Sequence, residues 1–216
     1  MPELFAHPFS SYSWKVQIAL DEKHVAYSYR MVEPGPEREA LVSLWPLGKF
    51  PVLVDETGTY IESSIIIEHV DQLSPNGARL IPTDPAATLR VRFLDRVFDN
   101  HVMDAMQKVV NEYLIDAANP DQSRIAAAKA SLDSIYAWLE ENLPNADWAG
   151  GGSFTLADCA AAPALFYADW VHPIPDRHGR LKAYRARLLA RPSVAKAVNG
   201  GRPYRQYFPL GAPDRD

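Results

Sequence analysis

Hydrophobic and polar positions alternate with two different periods, and the period changes about a third of the way along the chain. Leu4-Phe5-Ala6 is a short apolar run that reads as a strand. It stops at His7-Pro8, because proline pushes its predecessor out of the helical region. Val16, Ile18, Ala19 and Leu20 supply the apolar surface of a helix over 12–23, and Ser10, Ser11 and Ser13 offer hydroxyls where it begins. Val25, Tyr27, Tyr29 and Met31 alternate with Ala26, Ser28 and Arg30, a period-two strand. Glu33-Pro34-Gly35-Pro36 breaks that pattern, and 37–44 reads as a short helix. Pro51 to Asp55 predicts a strand, Thr57-Gly58 a turn, and Thr59 to Ile61 a second strand. Ser63 or Ser64 then caps a helix running to about Leu73, with Ile65, Ile66, His69 and Val70 forming much of one face. The order βαβ-α-ββα implies a parallel pair with a right-handed crossover, extended by an antiparallel hairpin.

Ser74-Pro75-Asn76-Gly77 ends this first half, which spans 1–79, and 80–86 reads as a short packed linker. From there, over 87–216, only helical patterns follow. Residues 86–115 predict one long helix of roughly 45 Å at 1.5 Å per residue. Asn119-Pro120-Asp121 separates it from a helix over 121–142, with Ile125, Leu132, Ile135 and Leu139 at helical spacing. A glycine-rich loop leads to Thr155-Leu156-Ala157-Asp158, a capping-box-like start with Phe154 placed as a hydrophobic staple. The helix it opens is apolar nearly all round, so it is expected at the buried centre, with Cys159 an inert core thiol inside it. Helices over 179–190 and 192–198 follow. The aromatic tail from Arg202 to Leu210 is expected to fold back on the protein.

Composition narrows the function classes. Of 216 residues 47% are apolar and 23% charged, with a formal net charge of −5, which offers no basic stripe for nucleic acid. No stretch is long enough to span a bilayer and no secretory leader is visible, so a cytoplasmic location without membrane contact is expected. One cysteine excludes an intramolecular disulfide framework and any Cys-x-x-Cys exchange. The six histidines show no metal-ligand spacing, so no metal is predicted.

What remains is a strand running into a hydroxyl-rich helix start, a natural place to hold an anion because unpaired N–H groups point out of the helix end. From spacing alone Ser10 reads as an N-cap. Glu62-Ser63 opens a second helix, where a hydroxyl, free N–H groups and an acid suit an α-amino acid terminus. Its bland alternative is a cap with an acid favoured by the helix dipole.

The segment from Ser10 to Leu20 with Lys15-Val16-x-Ile18-Ala19-Leu20, then Gly48-Lys49-Phe50-Pro51-Val52-Leu53, then Tyr60-Ile61-Glu62-Ser63-Ser64-Ile65-Ile66, resemble in order the serine-type glutathione transferases, theta- and zeta-like members in particular. The resemblance implies a thioredoxin-like N-terminal domain, an all-helical C-terminal domain and a homodimer, with Trp45 a candidate contact if exposed. It implies glutathione as co-substrate and Ser10 as the catalytic hydroxyl, donating to the glutathione sulfur. Ser11 and Tyr12 are the adjacent alternatives. A free thiol titrates near ~8.5, and a hydroxyl donor at a helix N-terminus favours the thiolate. Pro51 is implied to follow a cis bond, so that Phe50 turns its backbone toward the cysteinyl part. Lys49 is placed at the rim, and Glu62 and Ser63 at the γ-glutamyl end. A hydrophobic electrophile is expected between the halves, against Trp14, Arg92, Arg96, Asp99, Tyr204 and Tyr207. The serine run is close to the zeta type, which includes maleylacetoacetate isomerases, but that type has cysteine at the position of Tyr12 and arginines at Lys15 and Gln17. An interaction module without catalysis is the third reading.

Overall fold

The computed structural model describes residues 1–74 and 78–216; of the predicted turn, Pro75, Asn76 and Gly77 lie outside the described residues. Four strands form one mixed sheet in the order β2-β1-β3-β4: β1 (Glu3–Ala6), β2 (Ser28–Met31), β3 (Val52–Asp55) and β4 (Gly58–Tyr60). β1 and β2 are parallel, with Leu4 opposite Tyr29, and the crossover between them is α1 (Ser11–Glu22). β3 runs antiparallel to both β1 and β4, with Leu53 opposite Leu4 and Tyr60. α2 (Pro36–Leu44) covers one face through Phe5, Val32, Leu41 and Val52. On the other face Leu4 and Ala6 of β1 meet Val16 of α1 and Ile66 of α3 (Ser63–Leu73) in a larger core that continues without a break into the helical half.

That half is built from α4 (Pro85–Val97), α5 (Asp104–Ile115), α6 (Gln122–Asn142), α7 (Leu156–Val171), α8 (Gly179–Ala190) and α9 (Pro192–Gly201). All sixteen residues of α7 are buried, as its all-round apolar pattern requires. Thr155 and Asp158 form the capping box. The Asp158 carboxylate also accepts from the Ala149 amide at 2.9 Å and the Tyr184 hydroxyl at 2.6 Å, which fixes the preceding loop and α8 to the helix start. Cys159 is fully buried, and burial pushes its thiol well up.

Four expectations change. The predicted single helix over 86–115 is continuous but contains a π-helical segment, Phe98–Met103, whose wider turn puts Phe98, Asp99, Val102 and Met103 inside. β2 starts only at Ser28: Val25 and Tyr27 pack against the core without strand pairing, since β1 offers pairing partners only from Glu3 to Ala6. On α3 it is Ile67 that faces the core while Ile65 stands 54% exposed. Neither Ser63 nor Ser64 is the cap there, because Glu62 occupies that position with φ 65° and ψ 115° and the serines form the first turn. The aromatic tail folds back as expected. Arg202–Tyr207 form a 3-10 turn, and Phe208 is buried against Trp170 at 5.2 Å between ring centroids.

Candidate functional site

Two cavities meet in the cleft between the sheet half and the helical half. The smaller, 230 Å³, is polar and runs from Trp45 and Pro51 to Glu62, Ser63, Arg96 and Asp99. The larger, 540 Å³, is walled by Phe9, Met106, Val110, Tyr167 and Phe208 and has Ser10 and Ser11 in its lining. Tyr12, Lys49 and Phe50 border both. All eight residues read from the sequence as catalytic or glutathione-binding therefore line one connected space.

Ser10 is the N-cap of α1, with φ −87° and ψ 125°, and its Oγ accepts the Ser13 amide at 3.2 Å. A hydroxyl has one hydrogen and two lone pairs, so capping as an acceptor leaves its donor free. The first intrahelical bond runs from the Trp14 amide to the Ser10 carbonyl, so the Ser11 and Tyr12 amides lie ahead of it at the helix end. The Tyr12 phenol is pushed up to about 12 by burial and then by the charges of Asp99 and Asp104. It is therefore a neutral donor at physiological pH. Phe50-Pro51 is a cis peptide. Lys49 is exposed at the rim.

At the far end of the polar cavity, α3 begins at the strained Glu62. A non-glycine residue in this region costs about 1–3 kcal/mol and persists where surrounding structure imposes it. The first helical bond there is Ile66 amide to Glu62 carbonyl, which leaves the amides of Ser63, Ser64 and Ile65 ahead of it. Behind Ser63 lies a buried ionic cluster. Lys15 Nζ contacts Asp95 at 2.5 Å, Asp99 at 2.7 Å and Ser64 Oγ at 2.9 Å, and Arg96 closes the outside at 2.6 Å from both aspartates. Burial, more than any charge, pushes the Asp99 carboxyl up.

The residues expected to hold the second substrate divide. Tyr207 lines the apolar cavity, whereas Arg96 and Asp99 line the polar one. Trp14 is not in the site: it is 1% exposed, wedged against Phe166 and Tyr167, with its indole N–H on the Pro8 carbonyl at 2.5 Å. A side chain that large at the fourth helical position of α1 is taken by the core of α7. Arg92 points instead to Glu68, in a two-point pair at 2.7 and 2.8 Å. Tyr204 packs on His7 and donates to Met31 Sδ at 3.4 Å. Trp45 is half-buried, packed against the core under α2, and borders the polar cavity. Sequence reasoning missed His7 and the wall Met106, Val110 and Leu114, whose four-residue spacing marks a stripe on α5 without saying what the stripe faces. Among the described residues no group of three or more His, Cys, Asp or Glu side chains could hold a metal ion, and no helix is long and apolar enough to cross a membrane.

A sheet half with a polar slot, joined through one core to a helical half with an apolar chamber, defines a two-part, thioredoxin-like binding scaffold. Comparison with known proteins agrees. The family models described as glutathione S-transferase N-terminal and C-terminal domains match residues 4–78 and 122–187. A glutathione S-transferase from Methylobacterium radiotolerans, solved in complex with glutathione sulfonate, is 30% identical, with 91% of this chain and 94% of that one covered and a TM-score of 0.77. Another from Methylobacillus flagellatus, solved with GSH bound, is 27% identical over 91% and 98% of the chains, with a TM-score of 0.80. The stringent starvation protein A homolog of Coxiella burnetii is 27% identical over 91% of this chain and 90% of its own. This chain belongs to the glutathione S-transferase family.

Proposed function

We propose that the protein is a glutathione transferase that holds the glutathione thiol as a thiolate at Ser10 for attack on an apolar electrophile. The observation that carries this reading is the meeting of a polar slot and an apolar chamber at Tyr12, Lys49 and Phe50, beside Ser10 and Ser11. The γ-glutamyl carboxylate suits the free amides at the start of α3 and the Ser63 hydroxyl, and Glu62 takes the neighbouring ammonium. Phe50 meets the cysteinyl part through its backbone, and Lys49 and Trp45 border the glycyl end. The sulfur then falls at the start of α1, where the Ser10 hydrogen and the helix end favour its charged form. Ser10 acts by donating a hydrogen bond and keeps its own proton throughout. The protein associates as a homodimer through the exposed Ile65, Leu89 and Phe93 on α3 and α4.

The test is a pH titration of the thiolate ultraviolet band of bound glutathione, for the unmodified protein and for Ser10→Ala. The expected result is a bound thiol well below the free value of ~8.5, returned toward it by the substitution, with each unit worth about 1.4 kcal/mol. The relatives also include a stringent starvation protein A homolog, a name that carries no transferase activity, and the second reading is accordingly a module that binds without catalysis. Tight glutathione binding with an unshifted thiol, or no binding, would select that reading.

A further inference from the structure

His7 directly follows β1 and borders the apolar cavity with Ser10 and Phe50, and nothing in the thiolate reading uses it. Its main chain belongs to the turn that presents Ser10: its carbonyl accepts the Ser10 amide at 3.0 Å and its amide donates to Ser13 Oγ at 3.3 Å. The ring is fixed as well. Nδ1 accepts the Phe9 amide at 3.2 Å, and the ring meets Tyr204 edge-on at 5.1 Å, with Phe50 at 6.2 Å. Burial holds the imidazole below its ordinary pKa, with Glu33 pulling the other way, so the ring is neutral near pH 7. A neutral ring whose Nδ1 is an acceptor carries its hydrogen on Nε2, the corner away from the turn. Among the described residues no acceptor is paired with that N–H.

We propose that His7 Nε2–H donates a hydrogen bond to the electrophile, and that the protein thereby favours substrates whose attack by sulfur drives charge onto oxygen: α,β-unsaturated carbonyl compounds ahead of alkyl halides. The assignment rests on the thiolate reading above. In the step, the sulfur lone pair forms a bond to the β-carbon, the alkene pair shifts toward the carbonyl carbon, and the carbonyl pair moves onto oxygen as an enolate. Nε2–H bonds that oxygen and keeps its proton. Water then protonates the α-carbon, and the hydroxide left is neutralised by the proton released when the thiol ionised. A donor already held in place stabilises the developing charge without reorganisation. An alkyl halide releases its charge as halide ion and gives this N–H no oxygen to stabilise.

Two substitutions separate the two nitrogens. His7→Asn keeps an acceptor for the Phe9 amide and removes the distal donor, whereas His7→Gln keeps a distal N–H. Steady-state conjugation of glutathione to benzylideneacetone and to benzyl chloride, with the thiolate band of each variant, reads the outcome. His7→Asn is expected to lose about 10- to 100-fold in kcat on the ketone, with KM little moved and a much smaller loss on the chloride, and His7→Gln to recover most of the ketone rate. Equal losses on both substrates, no loss, or a Gln variant as poor as the Asn variant overturns the assignment while the transferase reading stands. So does an unmodified protein that turns over the chloride and not the ketone. No thiolate band and no turnover of either substrate overturns both.

Discussion

The Lys15 ammonium lies 2.7 Å from the Asp99 carboxylate, joining the first helix of the chain to the helical half directly behind the polar cavity. The lysine side chain is 1% exposed, so its charge is balanced inside the protein. Lys15 and Arg96 oppose Asp95 and Asp99, two cations against two anions, with Ser64 Oγ donating to Asp95 at 2.8 Å. The same cluster that seals the two halves together therefore fixes the first turn of α3, where Ser63 and Glu62 face the cavity.

Removing one partner of such a cluster costs more than the cluster contributes, because the charges left behind stay buried. Lys15→Met is expected to destabilise the protein by about 3–5 kcal/mol, measured by urea denaturation. Combining it with Asp95→Asn and Asp99→Asn should recover part of the loss, since the orphaned charges go with it. A loss in the single variant of under about 1 kcal/mol, the range of a solvent-exposed pair, would contradict the buried placement.

Gly201 is required by a close approach. A Cβ there would lie 2.6 Å from the Trp14 ring and 3.1 Å from the Pro8 carbonyl, and Trp14 is pinned by Phe166, Tyr167 and its bond to Pro8. Gly201→Ala is expected to cost about 1–3 kcal/mol through overpacking. Gly200, its neighbour in α9, has nothing within 4 Å of a built Cβ. Gly200→Ala should instead be neutral or stabilise by up to about 1 kcal/mol, through lower unfolded-state entropy and better helix propensity. Thermal melts of the two variants should move apart, and a parallel shift would sink the argument.

How far the sequence reached can be read from these residues. Ser10, the Phe50-Pro51 pair and Glu62-Ser63 were legible because each sits at a boundary that local chemistry marks: a cap, a proline, a helix start. The all-apolar α7 announced its burial in the same way. Trp14 was not legible, because its fate is set by Phe166 and Tyr167, far along the chain. Arg92 and Arg96 lie one turn apart on one helix, yet one pairs with Glu68 and the other closes the Lys15 cluster. Only the placement of α3 against α4 decides that. Periodicity also could not separate a stripe facing the core from one facing a cavity, which is why Met106, Val110 and Leu114 went unnoticed. The π-helical turn at Phe98–Met103 leaves no mark in the pattern.

Asp55 gives the fold a defined acid sensitivity. Burial acts to raise its carboxyl, but the Thr57 hydroxyl at 2.6 Å, His69 at 2.6 Å and the Thr57 amide at 2.8 Å outweigh it and hold the carboxyl down at about 2. Because the folded value lies below the unfolded one, the unfolded chain takes up the proton first as pH falls. This contribution is thus fully present above the ordinary carboxylate range near ~4 and is lost as pH drops toward 2. Replacing His69 by Leu removes one donor and is expected to raise the Asp55 pKa and flatten the loss of stability across that window. Urea midpoints measured on either side of pH ~4 check the slope. A slope identical in the two proteins would show that Asp55 does not set it.

Glu62 combines strain with chemistry, and two substitutions pull these apart. Its φ of 65° is a conformation glycine adopts freely, so Glu62→Gly should release about 1–3 kcal/mol of strain. Against that stands the extra unfolded-state freedom of glycine, worth about 0.5–1 kcal/mol, so a net gain of about 1 kcal/mol in the unliganded protein is expected. In the glutathione transferase reading proposed above, the same variant loses the carboxylate assigned to the γ-glutamyl ammonium, a charge-assisted contact of about 1.5–3 kcal/mol, and should bind glutathione at least about tenfold more weakly. Glu62→Gln keeps the strained backbone and loses only the charge, so it should weaken binding to a similar degree without the gain in stability. Denaturation and calorimetric titration of the pair give four numbers against two mechanisms. If the glycine variant is less stable than the parent, the backbone at Glu62 is not strained in the way its dihedral angles imply; if the glutamine variant binds as tightly as the parent, the carboxylate faces the cavity without touching the ligand.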